Sequence, residues 1–368
     1  MRLALDATSL LLRSAGVKNY VYHWIEHLRR AAGPHSMRVF PFLDRVGPLS
    51  HEASAAGWWN TQARLALIHF SNLPWNPVLN LAGRGADVFH ASQHLVNPPR
   101  NALLTGTLHD MTCWLMPEMH TRGNVLATRL YGERLRRRAA GVIAVSEHTR
   151  ADAIRLLNFP PDRITTIHHG VEDRFFDVPP SEIERARAAL RLSRPYVLFV
   201  GTIEPRKNIG TLLDAWRALP ASLREEFELI LAGPPGWDRP MVERLRAGAE
   251  PARYLGYVPE DLLAGLTAGA TAFVYPSIYE GFGFPVAQAL AAGAPVITSN
   301  TSSLPEIAGD AALLNDPHSI AEIQAALEKL LLSPSLRTDL RTRGLGRARQ
   351  FTWETCARRS WEFFERLR

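Results

Sequence analysis

Residues 275–300 read YPSIYEGFGFPVAQALAAGAPVITSN, and this stretch decides the fold. Phe273-Val274-Tyr275 has the character of a buried strand, and Pro276 stops it. Glu280-Gly281-Phe282-Gly283 follows as a loop with two glycines, and Pro285 suits the first turn of a helix, where its missing N–H is not needed. Gly293 and Pro295 end that short helix, and Val296-Ile297-Thr298 reads as the next strand. A glycine loop therefore opens a helix at the C-terminal end of a strand. Such a turn aims backbone N–H groups and the positive end of a helix at one point, which suits a phosphate. Glu280 stands beside it, and an ionised carboxylate accepts hydrogen bonds from hydroxyls worth roughly 1.5–3 kcal/mol each. Together these features fit a ligand that is part phosphate and part sugar. A glycine turn that only packs, beside a surface glutamate, fits the same letters.

The stretch resembles the signature of family 4 of the retaining glycosyltransferases, in which a Glu followed by Gly-Phe-Gly precedes a second Glu by seven residues. Thr301 to Leu314, TSSLPEIAGDAALL, continues the pattern. This chain departs from it once, with Gln288 at the second Glu position. The resemblance covers nearly the whole chain and is strongest over residues 194–316. It implies the α/β architecture called GT-B, with two Rossmann-like domains facing a central cleft.

Composition agrees with two domains. A length of 368 residues exceeds one ordinary core, and 46% hydrophobic residues is normal for a globular chain. No apolar run is long enough to span a bilayer, and MRLALDATSL meets Asp6 too soon for a signal peptide, so a cytoplasmic protein is expected. The two cysteines, Cys113 and Cys356, are far apart and lack zinc-like spacing. The net charge of +6 is uneven: 21 Lys and Arg against 16 Asp and Glu over residues 1–185, and 21 against 20 beyond. The first half carries the run Arg134, Arg136, Arg137, Arg138, which reads as a solvated helix face or as a surface for an anionic membrane. A nucleic-acid binder would need more than one such run.

In the first half, Leu3–Leu5 begins a strand, and the spacing of Val17, Tyr20, Val21, Trp24, Ile25 and Leu28 predicts a helix from about Gly16. No GxGxxG lies between them, which argues against a dinucleotide. The family resemblance places Gly16 at the donor, although Lys18 stands where a second glycine is expected. MRVFPFL (37–43), DVFHAS (87–92), ALLTGTLHD (102–110), GVIAVS (141–146) and ITTIHHGV (164–171) read as five further strands. Residues 51–80, with Trp58, Trp59 and Trp75, read as an irregular insertion that packs or forms a flap over an acceptor or membrane. His90 and His94 read as structural histidines, because no acidic partner is in register. His109-Asp110 lies at a strand end, where α/β sheets place their sites, and the resemblance turns His109 toward the sugar and acceptor. Ser146 reads as a helix N-cap.

The domains read as 1–175, a linker over 176–193, 194–350 and a final helix over 351–368 that the resemblance carries back to the first domain. RPYVLFVGT (194–202) is the strand that ends in Gly201 and Thr202, and Arg206-Lys207 lie between it and the helix marked by Ile209, Leu212, Leu213, Trp216 and Leu219. Two cations there suit a diphosphate, Arg as a bidentate fork and Lys as a point charge. A charged solvated loop is the alternative for that pair alone. Strands are also predicted over 227–236, 252–258 and 311–316, and helices over 318–332 and 335–350.

By resemblance, Glu280 holds sugar hydroxyls, the backbone N–H groups from Gly281 through Phe282 and Gly283 to Phe284 hold sugar oxygens and the diphosphate, and Gln288 replaces a ribose-binding Glu. Arg206, Lys207, Glu280 and His109 are the expected catalytic residues. No DxD motif is present, so no metal is expected; there is no cofactor, and the nucleotide sugar is a substrate. The implied reaction moves a hexose, with mannose from GDP-mannose the preferred donor, to a glycan or lipid-linked acceptor with retention. Since charge-assisted bonds are roughly twice as strong, Gln288→Glu is expected to lower the donor's KM. The alternatives are a weak or inactive homologue that binds nucleotide or glycan, a Rossmann-type oxidoreductase or epimerase, and an exported sugar-binding protein.

Overall fold

The computed structural model describes residues 1–12, 16–41, 47, 49, 54, 58–72, 84–92, 94–95 and 98–367. They form two compact units, Met1–Gly170 with Trp353–Arg368, and Val171–Thr352.

The first unit holds a six-stranded parallel sheet in the order β2-β1-β3-β4-β5-β6. The strands are β1 (Arg2–Asp6), β2 (Ser36–Phe40), β3 (Val88–Ala91), β4 (Leu103–Leu108), β5 (Gly141–Ala144) and β6 (Ile164–Thr166). Parallel strands are covered on both faces and read as short apolar runs, which is why VFHA and GVIA are buried throughout. The chain goes from β1 to β2 on one side and then to β3 on the other, a topological switch point between β1 and β3. Helix Gly16–Arg30 follows β1 and buries Tyr20, Val21, Trp24, Ile25 and Leu28. Ser146 caps helix Glu147–Leu157 as the sequence predicts, accepting the Thr149 N–H at 3.0 Å.

The insertion read as irregular over 51–80 contains helix Trp58–Ser71. Its fourteen residues lack Gly and Pro, and the run Gln62–Leu67 is made of good helix formers, so propensity outweighs the tryptophans that suggested a flap. Trp59 is exposed, whereas Trp75 lies outside the described residues, as does Leu43 of the strand predicted over 37–43.

The second unit holds β7 (Tyr196–Val200), β8 (Glu228–Ala232), β9 (Arg253–Gly256), β10 (Ala272–Tyr275), β11 (Val296–Ser299) and β12 (Ala312–Asn315). They are parallel and run β12-β11-β10-β7-β8-β9. This is the Rossmann order, whose switch point lies between β7 and β10, and ligands of such sheets bind outside the strand C-termini there.

The stretch 176–193 is no linker. Helix Pro180–Leu190 packs on helix Glu260–Ala268 within the second unit, with Arg185 bonded to Asp261 Oδ2 at 2.8 Å. A Cβ at Gly265 would come within 2.3 Å of Glu182 O, so glycine is what lets the two backbones approach. Pro180 occupies the first position of this helix, with Pro179 just before it. The last helix, Trp353–Arg366, belongs to the first unit: Trp24 Nε1 donates to Ser360 Oγ at 3.0 Å and Trp361 Nε1 to Leu28 O at 3.0 Å.

Candidate active site

Both halves of the Rossmann switch point in the second unit carry charge. β7 ends at Val200, and Gly201 and Thr202 lead into the turn Pro205–Lys207. β10 ends at Tyr275 and leads into Glu280 and the glycine loop. The two loops are laced by backbone: Ile278 N–H donates to Arg206 O at 2.9 Å. Asn208, with φ +58°, donates its amide to Pro276 O at 3.2 Å and Pro317 O at 2.6 Å, which ties the β7 loop to those after β10 and β12.

Glu280 is the hub. Its Oε1 accepts from Lys207 Nζ at 2.6 Å, Ser277 Oγ at 2.6 Å and Tyr275 OH at 3.0 Å, and its Oε2 lies 2.8 Å from the Arg206 guanidinium. Arg206 also pairs with Glu204 at 2.6 Å. Burial pushes the Glu280 carboxyl up, but the Arg206 and Lys207 charges and the bonds from Lys207 and Ser277 outweigh it, and the result is about 2. Burial, and then the Arg206 charge, lowers Lys207. Burial first, with Glu280 next, raises the Tyr275 phenol well above its ordinary value, so Tyr275 is a neutral donor. Two cations and the two carboxylates Glu204 and Glu280 cancel, so the cluster holds together without a ligand. Of the two cations Arg206 is the more exposed, its side chain at 16% against 9% for Lys207.

The glycine loop is braced from behind. Ser302 Oγ accepts the Glu280 N–H at 3.0 Å, and Ser303 Oγ donates to Glu280 O at 3.0 Å and Phe282 O at 2.9 Å. Gly281 is buried, and Gly283 sits at φ +98° with Leu304 Cδ2 only 2.8 Å from where a Cβ would stand. The Phe282 ring is buried against Phe284 and Phe351, so only its backbone is available to a ligand. Phe284 and Gln288, one turn apart on helix Phe284–Ala291, are half-buried while Val286, Ala287, Ala289 and Leu290 are buried; they mark the accessible face of that helix. Gly201 packs on Phe199, and its carbonyl lies 2.0 Å from where a Cβ on Gly233 would stand. The structure thus gathers Gly201, Thr202, Arg206, Lys207, Glu280, Gly281, Phe282, Gly283, Phe284 and Gln288 within one unit.

Gly16 and His109 belong to the first unit. Gly16 starts its helix with open space around it and no positive φ, so nothing local there requires glycine. Lys18 folds back and donates to Leu12 O at 3.0 Å. His109 lines a cavity of about 190 Å³ at the C-terminal ends of β1, β3 and β4, with Asp6, Tyr20, His90, His120 and Asn124. Burial lowers His109 to about 4 and His90 to about 3, so both are neutral at pH 7 and offer hydrogen bonds rather than charge. His90 is held by the Thr105 and Thr107 hydroxyls, each at 3.0 Å. Asp110 is a local cap, accepting the Thr112 N–H at 3.0 Å and its hydroxyl at 2.7 Å.

A family model described as Glycosyltransferase Family 4 matches residues 14–175, and one described as Glycosyl transferases group 1 matches residues 180–347. The O-antigen chain mannosyltransferase B of Escherichia coli is 37% identical over 274 residues, 73% of this chain and 72% of that protein. The chain belongs to glycosyltransferase family 4. The family 4 chain is also 30% identical over 237 residues to the serotype-specific mannosyltransferase WbdA of Escherichia coli, a match covering 62% of this chain and 29% of that protein. Among solved structures, HepE of Anabaena, crystallised with UDP and glucose, superposes with a TM-score of 0.75 at 18% identity over 99% of each chain. The fold of this family 4 glycosyltransferase is GT-B.

Several partners in the site are not evident from the motif. Tyr275 and Ser277 precede Glu280 by five and three residues, and Glu204 precedes Arg206 by two; their place in the same loops is the signal available. Glu172, whose carboxylate accepts from Gln288 Nε2 at 3.0 Å, lies 116 residues away and leaves no sequence signal. It also reverses the expectation for Gln288→Glu, which would set a second carboxylate against a buried one.

Proposed function

We propose that this glycosyltransferase moves mannose from GDP-mannose to a glycan or lipid-linked glycan, with retention and without a metal. The observation that carries the donor reading is the buried Arg206–Lys207–Glu280 cluster at the Rossmann switch point. A fixed guanidinium in a site of low dielectric stabilises charge as it develops on a leaving diphosphate, often the largest catalytic contribution. The names of the two Escherichia coli relatives support mannose. Glu280, ionised and held by Lys207, Tyr275 and Ser277, is placed to exchange one of these bonds for a sugar hydroxyl. In the proposed reaction the acceptor oxygen attacks the anomeric carbon on the face the diphosphate leaves, and a phosphate oxygen takes its proton; the neutral His109 imidazole polarises a sugar hydroxyl.

Transfer from GDP-mannose, UDP-glucose and UDP-galactose to mannose-containing oligosaccharides in EDTA tests this reading. Turnover of GDP-mannose alone, with the anomeric configuration kept, is expected. Turnover only with added metal, an inverted product or a preference for a UDP-sugar contradicts the corresponding part. Absence of turnover with intact nucleotide binding supports an inactive homologue.

The acceptor side of the proposal includes an anionic membrane. No helix among the described residues is long and apolar enough to cross a bilayer. Helix Arg122–Arg138 instead exposes Leu126 and Leu130, at 61% and 54%, one turn apart. Arg122, Arg129 and Arg137 are exposed on the same stripe, and its Glu133 is paired with Arg136 and Arg137 at 2.6 Å. Apolar side chains flanked by guanidinium groups complement a negatively charged lipid surface, where each basic residue contributes about 1 kcal/mol. Vesicles containing phosphatidylglycerol should capture the protein at low salt, and Leu126→Asn with Leu130→Asn should release it. No capture at low salt contradicts this part.

A further inference from the structure

The amide at 288 and the carboxylate at 172 are fitted to each other. Glu172 follows the first residue of the second unit and is 5% exposed. Its Oε2 accepts from Gln288 Nε2 at 3.0 Å, and its Oε1 lies 3.7 Å from Arg174, which in turn pairs with Glu260. Phe175 N–H donates to Glu172 O at 3.0 Å and holds the turn that presents the side chain. An ionised carboxylate only accepts hydrogen bonds, so the face of the Gln288 amide turned to it must be the NH₂ group. The carbonyl oxygen Oε1 is then turned away from Glu172, on the helix face that Gln288 shares with Phe284 next to the glycine loop.

We propose that Glu172 is a positioning residue of the nucleotide site: it fixes the Gln288 amide so that Oε1 is the atom offered to a hydroxyl of the bound nucleoside. The inference rests on the reading of this unit as a nucleoside diphosphate site. Without Glu172 the amide can turn its NH₂ group to the point where the hydroxyl donates, and the carbonyl acceptor is no longer held there. With Gln288→Glu, two carboxylates face each other across about 3 Å, which disfavours both remaining ionised and in place. The exchange Glu172→Gln with Gln288→Glu restores one amide–carboxylate bond with the roles reversed, and a carboxylate oxygen now takes the hydroxyl.

Titration calorimetry of GDP, UDP and inorganic pyrophosphate against the full chain tests this. Pyrophosphate has no hydroxyls and reports the charged cluster alone. Glu172→Ala and Gln288→Glu should each weaken the nucleotide that wild type binds by about tenfold, the scale of one hydrogen bond in a buried site, and leave pyrophosphate within about twofold. Glu172→Gln, whose carbonyl accepts the same bond, should recover most of the loss, and the exchange variant should recover it fully. Nucleotide affinity unchanged in Glu172→Ala and Gln288→Glu overturns the inference, as does parallel loss of nucleotide and pyrophosphate, which would mark general damage. If Glu172→Ala does not fold, the comparison of Gln288→Glu with the exchange variant decides. A wild type that binds pyrophosphate but no nucleotide overturns the donor reading itself.

Discussion

Glu280 stands in a local motif, but its setting comes from residues far back in the chain. The motif marks it as a hydroxyl-binding carboxylate beside a phosphate cradle, and the structure adds that Arg206 and Lys207 both close on it. Breaking a buried pair by removing one partner costs about 3–5 kcal/mol, because the other charge stays buried. Lys207→Ala leaves Glu280 paired with Arg206, so it should lower the urea unfolding free energy by less than that, about 1.5–3 kcal/mol, and weaken nucleotide binding; an unchanged midpoint contradicts the pairing. The pH dependence has a definite sign. The Glu280 carboxyl is held at about 2 in the folded protein, below its ordinary 4.5. Its contribution is present above the ordinary value and is lost as pH falls through the folded value. The stability difference between wild type and Glu280→Gln should be constant above pH 4.5 and shrink through the acid range below it.

Two glycines decide geometry at the scale of elements. Gly283, at φ +98°, turns the chain from the Glu280 loop into helix Phe284–Ala291. Gly283→Ala adds left-handed strain of about 1–2 kcal/mol and a contact with Leu304, so nucleotide affinity should fall together with stability. Gly170 ends the first segment of the first unit, and a Cβ there would lie 2.3 Å from the Trp353 backbone nitrogen. Gly170→Ala should loosen helix Trp353–Arg366, seen as faster hydrogen exchange across it; protected amides there would contradict this packing. Such elements were legible to different degrees. Strands such as YVLFV and AFVY are buried throughout or nearly so, apolar runs bounded by Gly, Pro or charge, and parallel burial makes them readable. Helix Trp58–Ser71 is hard to read because its covered stripe, Thr61, Arg64, Leu65 and Ile68, is half polar while the apolar Trp59 and Phe70 are exposed. Helix Pro180–Leu190 reads as a linker because what holds it, Gly265 and Asp261, lies far along the chain. The site divides the same way. Glu280, Arg206 and Lys207 stand in local motifs, whereas Glu172 meets Gln288 only through the fold.

The two units of the whole molecule should respond differently to acid. Burial lowers His109 to about 4 and His90 to about 3, and His169 is also lowered well below the ordinary 6.5. A histidine kept neutral in the folded state binds fewer protons than it does unfolded, so stability falls as pH drops below 6.5 toward the folded value. The first unit carries all three histidines and should lose protection in hydrogen exchange between pH 6.5 and about 4, before the second unit does. Equal loss in both units would contradict this assignment. The switch-point cluster of the second unit is expected to bind a nucleoside diphosphate without a metal. The most direct measurement is a thermal-shift panel of GDP, UDP, ADP and their sugars in EDTA. A ligand at a hundred times its Kd stabilises by about 2.7 kcal/mol, or roughly 5–10 °C for a domain of this size. A shift of that order is expected for GDP and GDP-mannose, absent in Arg206→Met and indifferent to chelator. No shift with any nucleotide, or one that requires a divalent cation, would contradict it.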